Sequence, residues 1–237
     1  MGKAQNFRNS SVEFLFALDK TAQKCYHLTM TKTNEEIYNI LSTLHEDAKC
    51  ELDFSTPFEL LVAVILSAQC TDKRVNLVTE KLFKIASTPE QFVAMPIEEL
   101  EEHIHSCGFY HNKARAIKEM SASVLTLGGV PETREELMTL SGVGRKTANV
   151  VSAVAFGKNA IAVDTHVFRV SNRIGIADGD TPDKVEEQLM KAFDESVWSK
   201  LHHYLIFHGR YVCTAKKPNC ADCPLKPHCK YYKNTQI

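Results

Sequence analysis

The apolar positions of this chain recur at helical spacing along most of its length. Ile37, Ile40, Leu41 and Leu44 follow a capping-box start at Thr33-Asn34-Glu35-Glu36. Thr56-Pro57-Phe58-Glu59 opens a second helix with proline at its first position. Its body, Leu60 to Leu66, is apolar on every side, so it is expected to be buried all round at the centre of a domain. Thr71 caps a third helix that carries Val75, Val78, Leu82 and Phe83 on one side. Thr88-Pro89 and Pro96 open two more, the second stopping before Gly108. A link from Phe109 to Ala114 leads into a helix with Ala114, Ile117, Val124 and Leu125, ended by Gly128-Gly129. Residues 165–174, 182–193 and 195–212 supply three further helices, the last with Trp198, Leu201, Leu205 and Phe207. No strand alternation, internal repeat or low-complexity tract breaks the pattern, so the fold class is all-α.

The stretch from Leu140 to Asp164 is the most informative. Glu135 to Leu140 is a short helical turn, Gly142-Val143-Gly144 a tight link, and Arg145 to Phe156 a second helix with Ala148, Val151, Val154 and Ala155 on one face. Gly157 follows its end. A helix, a Gly-x-Gly turn and a second helix form a hairpin. Its free backbone amides lie at a helix N-terminus, where a phosphate is favoured. Lys146 falls in the first turn of the second helix. The positive helix end disfavours a structural cation there but suits a reactive amine, whose pKa falls with partial burial. Asp164 follows the apolar run Ile161-Ala162-Val163 and opens the next helix. Taken alone, Asp164 reads equally as an N-cap and Lys146 as a solvated surface charge.

Composition adds limits. The 237 residues suffice for one large or two modest domains, and 44% hydrophobic with 24% charged content is ordinary for a soluble globular chain. The longest apolar run is too short to span a membrane. No signal segment stands at the N-terminus, so an intracellular, cytoplasmic protein is expected, with residues 1–30 as a loose extension. The net charge is −1, yet seven Lys or Arg face a single acid, Asp222, between Lys200 and Ile237. A basic C-terminal face suits a protein that meets DNA with one side.

Of eight cysteines, Cys213, Cys220, Cys223 and Cys229 are spaced C-x6-C-x2-C-x5-C. Thiolates at such spacing converge on one metal centre, either a zinc or a 4Fe–4S cluster. Zinc ribbons usually repeat C-x2-C pairs, and this loop has one such pair.

The run L-S-G-V-G-R-K-T-A-N-V-V, followed by I-A-V-D-T-H-V-F-R-V, resembles the helix-hairpin-helix and catalytic segment of the endonuclease III family of DNA glycosylases. Lys146 matches that family's Schiff-base lysine and Asp164 its catalytic aspartate. The cysteine spacing matches its cluster loop, which implies 4Fe–4S rather than zinc. Ser141 stands where the family usually has proline. S-A-Q-C-T-D matches the segment that places a glutamine into the duplex, here Gln69. G-F-Y-x-x-K-A matches a DNA-approaching loop, with His111 near its tip. The resemblance implies DNA contacts from Gln69, His111, Gly142, Val143, Gly144 and Arg145.

The resemblance also implies two lobes with the active site in the cleft between them. A helical barrel over 52–160 ends in the hairpin, at about 134–156; the cluster lobe joins 31–51 to 161–237. The implied activity is base-excision repair: a bifunctional glycosylase and abasic-site lyase, monomeric, acting on oxidised pyrimidines in double-stranded DNA. Two alternatives stand. Adenine-mismatch glycosylases share the hairpin and cluster but lack the lysine, and a non-catalytic hairpin module would need neither Lys146 nor Asp164.

Overall fold

The computed structural model describes residues 30–235. The N-terminal extension, with Cys25, therefore lies almost wholly outside the described residues. Within them the chain is helical and contains no strand. The α-helices are α1 (Lys32–Leu44), α2 (Pro57–Leu66), α3 (Asp72–Leu82), α4 (Pro89–Ala94), α5 (Ile97–Ile104) and α6 (Tyr110–Leu127). They continue with α7 (Arg134–Leu137), α8 (Arg145–Phe156), α9 (Thr165–Ile174), α10 (Pro182–Ala192), α11 (Trp198–Tyr211) and α12 (Lys230–Thr235). Short 3₁₀ turns at His105–Cys107 and Glu195–Val197 precede α6 and α11.

Threonine hydroxyls start half of these helices. Thr56, Thr71, Thr88, Thr133 and Thr181 each accept a hydrogen bond from a first-turn amide, and Thr88 completes a capping box with Gln91. At α1 the cap is Thr31 rather than the expected Thr33. Thr31 has the extended backbone a cap needs and accepts from the Asn34 amide at 3.2 Å, which places Thr33 inside the helix. The segment expected to start at 195 begins as the 3₁₀ turn, because Asp194 caps Ser196 before the α-helical geometry sets in at Trp198. The sequence pattern did not foresee α12, a short helix that packs on α9.

Two clusters of buried apolar side chains organise the molecule. The first surrounds α2, where every residue from Phe58 to Leu66 is buried. Even Glu59 is inside, its carboxylate accepting from the Ser55 amide at 2.6 Å. Side chains of α3 to α8 complete this core. The second joins α1 to α9, α10 and α11 and takes in Leu225 of the cysteine loop. Ile161 and Val163 belong to the second core and Ala162 to the first, so the segment before Asp164 threads the boundary with side chains alternating between them. Asn149 of α8 anchors it, donating to the Ile161 carbonyl at 2.9 Å.

Candidate DNA-binding and catalytic site

The hairpin runs from α7 to α8, and α8 has the bounds expected from the sequence. Its two glycines differ. Gly142 has φ +75, and a Cβ there would lie 2.9 Å from the Ala116 Cβ of α6, so both conformation and packing demand glycine. Gly144 has an ordinary φ of −88, and a Cβ there would meet nothing within 4 Å. Gly144 is the N-cap of α8 and offers no side-chain cap, so the first-turn amides have no side-chain acceptor. Val143 is buried and its amide donates to the Leu140 carbonyl, so it supports the turn from within. Ser141 donates to Glu119 of α6 at 2.7 Å, which ties the turn down where the family usually has proline.

Arg145 sits differently from the expectation of a DNA contact. Its guanidinium makes a two-pronged pair with Glu186 of α10, at 3.0 and 3.1 Å, and Glu186 is 3% exposed. Such a carboxylate needs a fixed partner, so the Arg145 guanidinium, itself 36% exposed, is held against Glu186 and joins the two cores.

Lys146 is exposed, so the partial burial expected from the sequence is absent. Asp164 is half-buried and caps α9: one oxygen, Oδ1, accepts from the amides of His166 and Val167 at 2.8 Å each. Capping occupies that oxygen and leaves Oδ2 outside the cap. The cap reading and a chemical role are thus compatible. Both Lys146 and Asp164 act by charge on a third group, Asp72 at the start of α3, whose pKa burial raises. Sequence reasoning missed Asp72 as a functional group, although it ends the S-A-Q-C-T-D run. Arg210 of α11 reaches across and donates to Asp72 at 2.6 Å, and it pairs with Glu51 as well. A cavity beside them is lined by Cys50, Glu51, Asp72, His166, Arg210 and Tyr211 among others. Beneath the site lies His202, 2% exposed, with no hydrogen-bond partner at Nδ1. Burial, His203 and Lys146 push its pKa down to about 3, so it is neutral.

Two turns project beside this region. Among the described residues, Gln69 (φ 55) and Phe109 (φ 50) are the non-glycine residues with left-handed backbone. Such conformations are uncommon for these side chains and cluster at functional sites. Gln69 is exposed after α2, and Phe109 is 63% exposed before α6. Phe109 occupies the tip that the sequence reading assigned to His111. His111 falls in the first turn of α6, paired with Glu101 at 2.8 Å and stacked on Tyr110. The signal for Phe109 was the preceding glycine in G-F-Y, which marks a turn tip.

The cysteines of the C-terminal loop line one small apolar cavity together with His208, Leu225 and Tyr232. The donors match in type, being thiols around one cavity, and the Cys223 thiol is pushed up by burial and by the neighbouring Cys213, Cys229 and Cys220. Among the described residues, no three His, Cys, Asp or Glu side chains converge tightly enough to hold a single metal ion. The four thiols around one cavity suit a group bound through cysteine sulfur. Arg173 of α9 fastens the loop, donating to the Thr214 and Ala215 carbonyls and to Cys213 Sγ. His208 Nε2 lies 3.6 Å from Cys223 Sγ, and its Nδ1 lies 3.2 Å from His45 Nε2. Lys216 and Lys217 are exposed on the loop, whereas Lys226 folds back on Ala221 and Lys230 pairs with Asp178. No helix among the described residues is long and apolar enough to cross a membrane.

Comparison with known proteins agrees with this geometry. The family described as HhH-GPD superfamily base excision DNA repair protein matches residues 62–195. Endonuclease III of Bacillus subtilis is 54% identical over 77% of this chain and 85% of its own length. Endonuclease III of Escherichia coli K12 is 45% identical over 84% of this chain and 96% of its own. A solved structure of a trapped endonuclease III–DNA covalent intermediate superposes with a TM-score of 0.82 at 49% identity, covering 88% of this chain and all of the other. A thermostable thymine-DNA glycosylase, 24% identical, shares the fold with a TM-score of 0.76. With more than half of the chain matched by one family and full-length relatives near 50% identity, this chain belongs to the endonuclease III family of the HhH-GPD base-excision repair superfamily.

Proposed function

We propose that this protein is a bifunctional DNA glycosylase and abasic-site lyase that removes oxidised pyrimidines from duplex DNA. The observation that supports the reading is that a first-turn lysine and an aspartate with one carboxylate oxygen outside its cap both act by charge on the partly buried Asp72 where two cores adjoin. A base inside the stack is beyond reach of these groups, so the nucleotide must be extruded. Amides without a side-chain acceptor at the start of α8 would hold a backbone phosphate. Gln69 and Phe109 would enter the duplex and fill the space left behind. Lys146 Nζ, as the free amine, would then attack C1′ of the sugar, and the C1′–N bond to the base would break. Its proton would pass towards Asp164 Oδ2, and the carboxylate would stabilise positive charge growing on the sugar. The C1′–O4′ bond then opens, the ring oxygen taking a proton, and the resulting imine acidifies the C2′ proton. Loss of that proton expels the 3′ phosphate and cuts the strand.

The two buried clusters correspond in this proposal to two lobes, 52–160 and 31–51 with 161–237, with the reacting groups in the cleft between them. Cys213, Cys220, Cys223 and Cys229 would hold a 4Fe–4S cluster, whose iron–sulfur bonds would fix the shape of the basic loop. Lys216 and Lys217 would then face phosphate. The free thiols of Cys50, Cys70 and Cys107 suit a reducing, intracellular setting.

The test is borohydride trapping on a duplex with one oxidised pyrimidine. The wild-type protein forms a covalent adduct and cleaves the strand. Lys146→Gln forms none and cleaves nothing, yet binds an abasic analogue. An adduct with Lys146→Gln would make another amine the nucleophile and refute the assignment. A monofunctional or non-catalytic hairpin protein would give no adduct even as wild type.

A further inference from the structure

Side chains, rather than helix packing, bridge the two buried cores. Among the described residues, every pair of helices in extensive contact lies within one core: α2 with α6 and α8 in the first, α9 with α10 and α11 in the second. Ionic groups cross the boundary instead. On the cavity side Arg210 of α11 reaches Asp72 of α3. On the hairpin side the carboxylate is Glu186 of α10, its side chain 4% exposed, and both arms of the hairpin reach it. Arg145 of α8 places Nη2 at 3.0 Å from Oε1 and Nε at 3.1 Å from Oε2. Arg134 Nη1 of α7 lies 3.6 Å from the same Oε1, and Asp183, also on α10, lies 3.8 Å from Arg145 Nε.

This tie stands at the end of α8 that carries Lys146, the residue after Arg145. The chain itself joins α8 to the second core only at the other end, where Phe156 leads through residues 157–163 to Asp164. At 1.5 Å per residue that link is about 15 Å from Lys146, so a tilt of about 5° at the link would move the first turn by about 1 Å. Glu186 opposes that tilt at the end where it matters. Its helix packs on α9, which Asp164 caps. The path from Lys146 to Asp164 thus runs through Arg145, Glu186, α10 and α9.

We propose that Glu186 is a positioning residue: it ties the hairpin to α10 and so fixes Lys146 against Asp164 across the boundary of the two cores. The proposal rests on the reading that Lys146 and Asp164 work on one sugar. Two parallel N–H···O bonds from a planar guanidinium fix direction as well as distance. Burial of the carboxylate strengthens those bonds by keeping water from them. Glu186 meets no DNA in this role, since almost none of its side chain reaches the surface. Misplacement by about 1 Å from a change away from the reacting atoms can slow a reaction by roughly a hundredfold.

The experiment compares the purified wild-type holoprotein with Glu186→Gln, Glu186→Leu, Arg145→Gln and the Arg145→Gln/Glu186→Gln double variant. Glutamine offers one acceptor oxygen where the carboxylate offers two, so the two-pronged pair cannot re-form. Leucine fills similar space without charge and decides the matter if the glutamine variant does not fold. Single-turnover borohydride trapping on an oxidised-pyrimidine duplex should be about ten- to a hundredfold slower in each variant. Affinity for an abasic-analogue duplex should stay close to wild type in the Glu186 variants. The double variant should be no slower than the slower single one, because both changes cut the same tie. Amide exchange read by mass spectrometry should quicken together at residues 141–147 and 182–188 in the Glu186 variants and stay unchanged in α2. Trapping at the wild-type rate in the Glu186 variants overturns the proposal. Affinity that falls in step with the rate overturns it too, since the tie would then serve DNA binding and not the placing of Lys146. Additive slowing in the double variant likewise overturns it. A wild type that forms no adduct refutes the reading of Lys146 and Asp164 instead, and the exchange data then show by themselves whether Glu186 ties the cores.

Discussion

Alanine at Gly142 and alanine at Gly144 should produce opposite defects. At Gly142 an L-residue must adopt φ +75, and its Cβ would lie 2.9 Å from the Ala116 Cβ. The left-handed conformation costs about 1–2 kcal/mol. Overlap with a methyl group on a packed helix adds roughly 1–3 kcal/mol. Gly142→Ala should therefore destabilise by about 2–5 kcal/mol, which lowers the thermal midpoint by about 5–15 °C for a chain of this size. At Gly144 the backbone is ordinary and the Cβ position is empty. Alanine is a poorer cap than glycine, but it also restricts the unfolded chain, and the two effects leave stability within about 1 kcal/mol. The new methyl instead occupies the approach to the first-turn amides of α8. Hydrogen bonds to a charged phosphate contribute about 1.5–3 kcal/mol, so Gly144→Ala should weaken DNA binding roughly ten- to a hundredfold. Because phosphates carry no base identity, damaged and undamaged duplexes should lose affinity alike. Differential scanning calorimetry and anisotropy titrations over a salt series measure the two quantities separately. A Gly144→Ala protein that binds normally would refute the assignment of α8 as the phosphate site. A Gly142→Ala protein that melts like the wild type would refute the steric argument.

Three further outcomes are expected. Asp164→Asn should melt normally, since asparagine caps α9 about as well, yet slow base release by about 10²–10⁴-fold or more; single-turnover kinetics on a damaged base against a preformed abasic site measure this, and equal losses on both would contradict a role in base expulsion. Purified protein should be yellow-brown, and Cys220→Ser should bleach it and weaken binding; a colourless protein with stoichiometric zinc would contradict the iron–sulfur proposal. His202 titrates near 6.5 when unfolded and near 3 in the folded protein, so between these values unfolding takes up a proton. Its contribution to stability is complete above pH 6.5 and falls by about 1.4 kcal/mol per unit as pH drops towards 3; His202→Gln should flatten the melting-versus-pH curve between pH 7 and 5.5, and an unchanged slope would show that His202 is not the group that titrates.

The chain by itself determined its helices and two of its chemical signatures. Proline and threonine at helix starts and glycine at helix ends are local signals, decided by backbone angles and the first unpaired amides, so α2, α3, α4 and α8 were legible with nearly their observed bounds. The Gly-x-Gly hairpin and the cysteine spacing are likewise short-range patterns. Only the tertiary structure decided what these pieces do to each other. The resemblance implies that Arg145 contacts DNA, and the fold adds a pairing with the buried Glu186 of α10 that the sequence does not show. Lys146 reads either as a partly buried reactive amine or as a solvated charge; the fold leaves it exposed and lets its charge act on Asp72 at the start of another helix. The two hairpin glycines look alike in sequence; the methyl of Ala116 on α6 makes one obligatory and leaves the other open. Neither Gln69 nor Phe109 is of a residue type that favours left-handed backbone, and only the glycine before Phe109 marks a turn there. Their conformations are imposed by the packed helices on either side and by the buried Lys113, whose ammonium donates to the Leu66 and Cys107 carbonyls. Burial, pairing and strain arise between residues far apart in the chain. The spacing of neighbours does not encode them, because they depend on which surfaces the two cores bring together.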